Sequence, residues 1–261
     1  MRRTTKLLAG MLGVVLLAAC GASGRPQADQ DRDGKLLAGA LRSAYADGSS
    51  FKLDQQLLVT GGDIPSGQAL QLHAIVSDGV LRDGSAKFSY RIEQGQQRVD
   101  YDMLVVDGRL YVKQHSASAW KTTSVGEVTT LFPALRIDLV RESVLLATSV
   151  SSGALSRIDE GFARKYAVKP AADQLEQLQS MPVGGTSAEQ PFLRTASAEL
   201  DVYLLFPSDK LGRIDVLLSG IDPSNGEKQQ IQSRLDLRSA KVGAIQAPAD
   251  AQQVAAGDIL S

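Results

Sequence analysis

The chain has 261 residues, 28 Lys and Arg against 29 Asp and Glu, two histidines and one cysteine. A single thiol excludes an intramolecular disulfide, two isolated histidines leave zinc without a ligand set, and a near-neutral balance excludes the basic field that nucleic acid demands. No Gly-x-Ser-x-Gly elbow, Walker loop or Gly-x-Gly-x-x-Gly fingerprint occurs, so nothing nominates a catalytic centre, a metal or a cofactor.

Arg2, Arg3 and Lys6 precede an apolar run from Leu7 to Leu17, too short for a membrane span and of the length of an export signal. The run closes in Leu17-Ala18-Ala19-Cys20, the bacterial lipobox pattern, in which the cysteine thiol takes a diacylglyceryl group and becomes the new N-terminus. Residues 1–19 are therefore expected to be a lipoprotein signal peptide and Cys20 the lipidation site. Two acyl chains suffice for stable anchoring, so the protein is expected on the extracytoplasmic face of the cell membrane, tethered without spanning it. Removing Arg2, Arg3 and Lys6 from the 28 basic residues leaves 25 against 29 acidic ones.

Residues 20–32 are small and polar and predict a lipidated flexible linker. Within this stretch Asp29, Asp31, Asp33 and Gly34 copy the opening of a calcium loop, but the twelfth position, which needs a bidentate Glu, is Ala40. The expectation is a solvated linker with Asp33 capping the next helix. That helix, Gly34 to Asp47, carries Leu37, Leu41, Ala44 and Tyr45 at helical spacing.

The period then changes to two. Phe51, Leu53, Leu57 and Val59 alternate with Lys52, Asp54, Gln56 and Leu58, and after turn residues at Gly61-Gly62-Asp63 and Pro65 Leu70, Leu72, Ala74 and Val76 alternate again. Ala86-Phe88-Tyr90-Ile92, Val99-Tyr101-Met103-Val105 and Leu110-Val112 follow, separated by Asp78-Gly79, Asp83-Gly84, Gly95 and Asp107-Gly108. Short connections between alternating strands predict an antiparallel meander with one apolar face.

In the middle, a capping box at Ser124 to Glu127 opens a helix carrying Val128, Leu131 and Phe132 and ending at Pro133. Asp138 to Val150 predicts a second helix, apolar around more than half its circumference, including Val144 and Leu145. Arg157 to Lys169 is strand-like around Gly161, and Pro170 starts a third helix through Met181. A loop through Pro182 to Pro191 leads to three final strands, around Leu200-Val202-Leu204, Ile214-Val216-Leu218 and Ile231-Leu235-Leu237. Residues 247–261 lack periodicity and predict a surface tail. His73 and His115 are expected to face outward, and Asp159-Glu160 to be a turn edge rather than an acid/base pair.

Three stretches give this order a family resemblance: Leu57 to Pro65 with its Gly-x-Ile-Pro turn, Val105 to Tyr111 followed by Trp120, and Leu235-Asp236-Leu237 with Ile245 to Pro248. The chain resembles the actinobacterial LppX/LprA/LprF/LprG lipoprotein family, itself similar in fold to the LolA and LolB carriers. That resemblance implies an α+β domain over residues 33–246: one strongly curved antiparallel sheet, a half-barrel, with helices covering its concave face around an apolar cavity. It also implies a cavity lined by Leu57, Leu72, Tyr90, Tyr101, Met103, Leu200, Val202 and Leu204 from strands, under a lid of Val128, Leu131, Phe132, Val144 and Leu145. Core packing accounts for any one of these positions as well as ligand contact does.

The expected function is a membrane-anchored carrier of acylated lipids or glycolipids in the cell envelope, without catalysis, its partners being lipid, membrane and an exporter or acceptor lipoprotein. A two-chain lipid has roughly 30 methylenes, and moving it from bilayer to water costs on the order of 24 kcal/mol. A dry aliphatic pocket removes most of that cost. The alternative is a structural or interaction lipoprotein with a filled core. A hydrolase would need a buried Ser/His or carboxylate pair that the residues do not reveal.

Overall fold

The computed structural model describes residues 27–44, 48–60, 70–82, 85–128, 143, 146–171, 175 and 191–260. Most of the alternating segments form strands: β1 (Ser49–Thr60), β2 (Leu70–Arg82), β3 (Ser85–Gln94), β4 (Gln97–Val106), β5 (Arg109–Gln114), β6 (Lys121–Ser124), β7 (Ser149–Ile158), β8 (Gly161–Lys169), β9 (Ser197–Leu205), β10 (Lys210–Ile221), β11 (Lys228–Ser239) and β12 (Gln252–Gln253). All twelve lie in one open sheet, in the order β12-β6-β5-β4-β3-β2-β1-β11-β10-β9-β8-β7. Two antiparallel meanders, β1 to β6 and β7 to β11, meet at the centre, where β1 and β11 pair from Ser49↔Ser239 to Thr60↔Lys228. At the β4–β5 turn Asp107 and Gly108 both have positive φ, 49° and 72°. That geometry matches the twist of the strands it joins, and Asp-Gly supplies it cheaply.

Asp78-Gly79 is not a turn. β2 continues through it to Arg82, with a register shift against β3 between Val76 and Gly79. The reason is packing: a Cβ on Gly79 would lie 2.3 Å from the Phe51 ring. Glycine is needed here for a close approach rather than a reversal, a use of glycine inside a strand that resembles a turn signal in sequence.

Two helices are described. In α1 (Gln27–Ala44) Leu37, Ala38, Ala40 and Leu41 are buried, and the helix packs on β7, β9 and β10. It begins six residues inside the expected linker, and Asp33 lies within it rather than at its cap. Acidic residues near a helix N-terminus are favoured by its dipole, so an Asp-rich stretch without apolar periodicity can still be helical. Ser49 Oγ donates to the Ala44 carbonyl, fixing the helix end to the start of β1. The second, α2 (Val125–Val128), is a single turn at the expected capping box. Ser149 and Val150, expected at the end of a helix, open β7 instead, and Ser143 is helical. What is described is thus mostly sheet with one full-length helix, not a set of helices across one face. The turn at 61–65, most of the expected second and third helices and the loop through Pro182 to residue 190 lie outside the described residues, as do Cys20, Tyr45 and the Asp83-Gly84 turn.

Residues 247–260 lie mostly at the surface but are held to the sheet at a few points. After β11, the Val242 carbonyl accepts from Arg82, and Ile245 and Ala251 pack with Trp120 against Leu104, Val106 and Tyr111 on the outer face. β12 then pairs parallel with β6 at the sheet edge, with Gln252 N donating to Trp120 O at 2.8 Å and Val254 N to Thr122 O at 3.0 Å. Beyond it the chain reaches the opposite face. Ile259 is buried in the main core, and Tyr101 donates its hydroxyl to the Leu260 carbonyl at 3.2 Å. The segment clasps an edge that would otherwise offer unpaired backbone groups. It shows no hydropathy period because isolated anchors, not a repeating face, hold it.

The outer face of the sheet is laced with ion pairs between neighbouring strands. Arg213 Nε meets Asp236 at 2.5 Å, Arg234 meets Asp215 at 2.9 Å, and Arg91 meets Asp100 at 2.8 Å. His73 and His115 both face this side, 2.9 Å from Asp54 and 3.1 Å from Asp102. Glu160, in the β7–β8 turn, reaches across two strands to Arg238 on β11 at 2.7 Å.

Hydrogen bonds from the guanidiniums of Arg98 and Arg91 hold the Asp100 carboxyl below the usual aspartate range. A lowered folded-state value contributes stability above the unfolded value that is lost as pH falls through the folded one. Asp100→Asn removes that contribution. Urea midpoints of wild type and variant are expected to differ near about pH 7 and to converge by about pH 2; a separation constant across that range contradicts the assignment.

Candidate functional site

The opposite face of the sheet is mostly apolar across its eight central strands. In register, one row runs Tyr101, Tyr90, Val76, Leu53, Leu235, Ile214, Val202 and Tyr166 across eight strands. The next row is Val99, Ile92, Ala74, Gln55, Ser233, Val216, Leu200 and Val168, and a third holds Leu72, Leu57, Ile231, Leu218 and Ala198. All but Gln55 and Ser233 belong to, or pack against, one contiguous apolar cluster. Period-two alternation produces this because every second residue of each strand points the same way.

All eight strand residues singled out from sequence lie on this face. Tyr90, Tyr101, Met103, Leu200, Val202 and Leu204 are buried in the cluster, and Leu57 and Leu72 are partly buried against it. Leu131, Phe132, Val144 and Leu145 lie outside the described residues, as does the side chain of Val128. Described segments packed on the same face include α1, the 3-10 turn at Pro191–Thr195 with Phe192 and Leu193 buried, Val125 of α2, Ala147, and residues 254–260.

Polar groups on this face are few. Burial, with Tyr101 beside it, pushes the Tyr90 hydroxyl well above the usual phenol range, and burial raises Tyr101 too. Both therefore stay neutral, able to donate. Gln229 donates Nε2 to Asp222 at 3.3 Å. Gln55 differs from these. It is 0 % exposed, and neither its Oε1 nor its Nε2 has a hydrogen-bond partner.

Leaving a primary amide desolvated and unpaired costs about 1–3 kcal/mol on mutational scales. A signal for Gln55 exists in the sequence: β1 reads Phe51, Leu53, Gln55, Leu57, and the apolar series skips one inward position. The gap is easily passed over because a single polar residue in an alternating strand usually marks its wet face.

A separate groove of about 620 Å³ lies on the outer side, between the strap at Val242 to Gln246 and Val80, Lys87, Leu104 and Trp120. Lys113 Nζ stands 5.1 Å from the Trp120 ring centre beside it. A smaller pocket of about 290 Å³ sits where Arg32 and Leu36 of α1 meet Tyr166, Leu204 and Phe206.

No family model and no curated protein matches the chain. Among solved structures, LprF from Mycobacterium bovis is 13% identical, with 83% of this chain and 97% of that one covered and a TM-score of 0.46. An uncharacterized conserved protein from Thermus thermophilus is 8% identical over 85% of this chain and 98% of that one, with a TM-score of 0.35. A DUF1329 family protein from Desulfovibrio piger is 12% identical over 82% and 94%, with a TM-score of 0.29.

Proposed function

We propose that the protein is a non-catalytic carrier of acylated lipids or glycolipids, held at the extracytoplasmic membrane face by a lipid on Cys20, its tails bound along the apolar face of the sheet. The observation that carries this is the face itself: three registered rows of aliphatic and aromatic side chains across an open sheet, with no second sheet against them among the described residues. Most of these side chains are buried, so tails bound there would take the place of the segments that cover the face. A carrier needs a surface that matches the interior of a bilayer, plain and nearly free of charge.

The placement of exposed aromatics supports the membrane side of this reading. Phe162 and Phe206 are among the few large apolar side chains left exposed, and they adjoin, Phe206 N donating to Phe162 O at 2.8 Å. Phe206 also lines the small pocket with Arg32 and Leu36, in the half of α1 nearer to Cys20. The apolar tips would then meet the membrane on the side where the anchor leads, and exchange of lipid with an exporter or acceptor lipoprotein would occur there.

Native mass spectrometry of the protein made without residues 1–20 tests the proposal. Adducts with the masses of acyl lipids, exchangeable for an added fatty-acyl probe, are expected. A bare chain that takes up no probe contradicts it and leaves the filled-core scaffold.

A further inference from the structure

We propose that Gln55 is the polar anchor of the ligand site, pairing with the ester group of an acyl glycerolipid whose tails lie along the apolar rows. The inference rests on the carrier reading and names the class of lipid. Gln55 occupies the centre of the apolar face, on the first strand of one meander and directly opposite Ser233 on the last strand of the other. Leu53 and Leu57 flank it along β1, and Ala74 faces it from β2. Its neighbours across the sheet, Ala74 and Ser233, are short, so the longer amide stands above them on the face it shares with the tails.

The chemistry of an amide narrows what it meets. An amide nitrogen that donates and a carbonyl oxygen that accepts, both buried and both unpaired, call for a ligand with an acceptor and a donor close together. A monoester or diester of glycerol has both: the ester carbonyl accepts from Nε2 and a neighbouring free hydroxyl donates to Oε1. A hydrocarbon offers neither, and a wax ester accepts but cannot donate. A carboxylate accepts but cannot donate, and the arginines that line a pocket with Tyr166 and Leu204 on this face, Arg32 and Arg164, do so without Gln55. Tyr101 is engaged on the Leu260 carbonyl, and Gln229 bonds Asp222 through Nε2 while its Oε1 has no partner, so Gln55 is the amide with both ends unpaired. Such an amide is the group left for a ligand, and a single neutral anchor holds a lipid in register without making its release slow.

Competition of 1,2-dipalmitoylglycerol and its dihexadecyl diether analogue against a fluorescent fatty acid tests this, since the two differ only in the ester carbonyls. Wild type is expected to favour the diester by about tenfold. In Gln55→Met, of similar length and shape, the preference falls to about twofold or less while the thermal midpoint stays equal or rises. Equal affinities in wild type, or a preference that persists in the variant, overturn the assignment of Gln55. Failure of both lipids to compete, with no binding of the fatty acid itself, overturns the carrier reading and this inference with it. Equal affinities in wild type overturn the assignment even where the variant does not fold.

Discussion

Gly79→Ala is expected to destabilise the protein by about 3 kcal/mol, at the upper end of what overpacking one methyl costs. The added carbon would stand 2.3 Å from two atoms of the Phe51 ring, which is itself buried and tilted against Phe88 at a centroid distance of 6.1 Å. The ring is buried against Phe88, so moving it means repacking both. Relief otherwise comes from the backbone of β2, at a bulge already adjusted to the glycine. Chemical denaturation measures the loss, and shortening the ring tests its cause. Phe51→Leu combined with Gly79→Ala is expected to be more stable than the sum of the single effects allows, since the second change removes what the first collides with. Additive losses would place the strain elsewhere.

Ile259→Ala is expected to cost about 3 kcal/mol, in the range for removing a buried branched side chain. Ile259 is 2 % exposed and is the main inward anchor of the segment that clasps β6. Around it the Tyr101 hydroxyl holds the Leu260 carbonyl and Lys121 Nζ holds the Asp258 carbonyl at 3.1 Å. A chain ending at Gln246 loses the same contacts and also uncovers the backbone of β6 at Trp120 and Thr122. An uncovered edge recruits other strands, so the shortened protein is expected to elute as oligomers or aggregates. A variant of unchanged urea midpoint and a shortened chain that stays monomeric would together show the clasp to be decorative.

These two positions mark where sequence alone is sufficient and where it is not. The strand pattern is legible because a half-buried strand writes its burial into every second residue, and the rows through Leu53, Tyr90, Val202 and Leu235 follow from it directly. Gly79 reads as a turn because glycine serves both reversals and close approaches, and only the position of the Phe51 ring distinguishes them. The C-terminal clasp leaves no period to find: Ile245 anchors on the outer face, and Val254 and Ile259 on the apolar one. The order of strands follows from short connections within each meander, but the central β1–β11 pairing joins residues nearly two hundred positions apart, for which local pattern carries no signal. Among the candidate site residues, the eight on strands share a face because their spacing puts them there. Gln55 does not emerge because its significance lies in what it fails to touch.

The mass of what the purified chain carries bears most directly on the lipid-carrier reading. Protein made without residues 1–20, transferred from gentle buffer to the gas phase, is expected to appear with bound acyl lipid, released on solvent extraction and regained on mixing with dipalmitoylglycerol. A spectrum of bare chain before and after that mixing, from protein whose denaturation remains cooperative, would mean that the apolar rows close on themselves and that lipid is not their purpose.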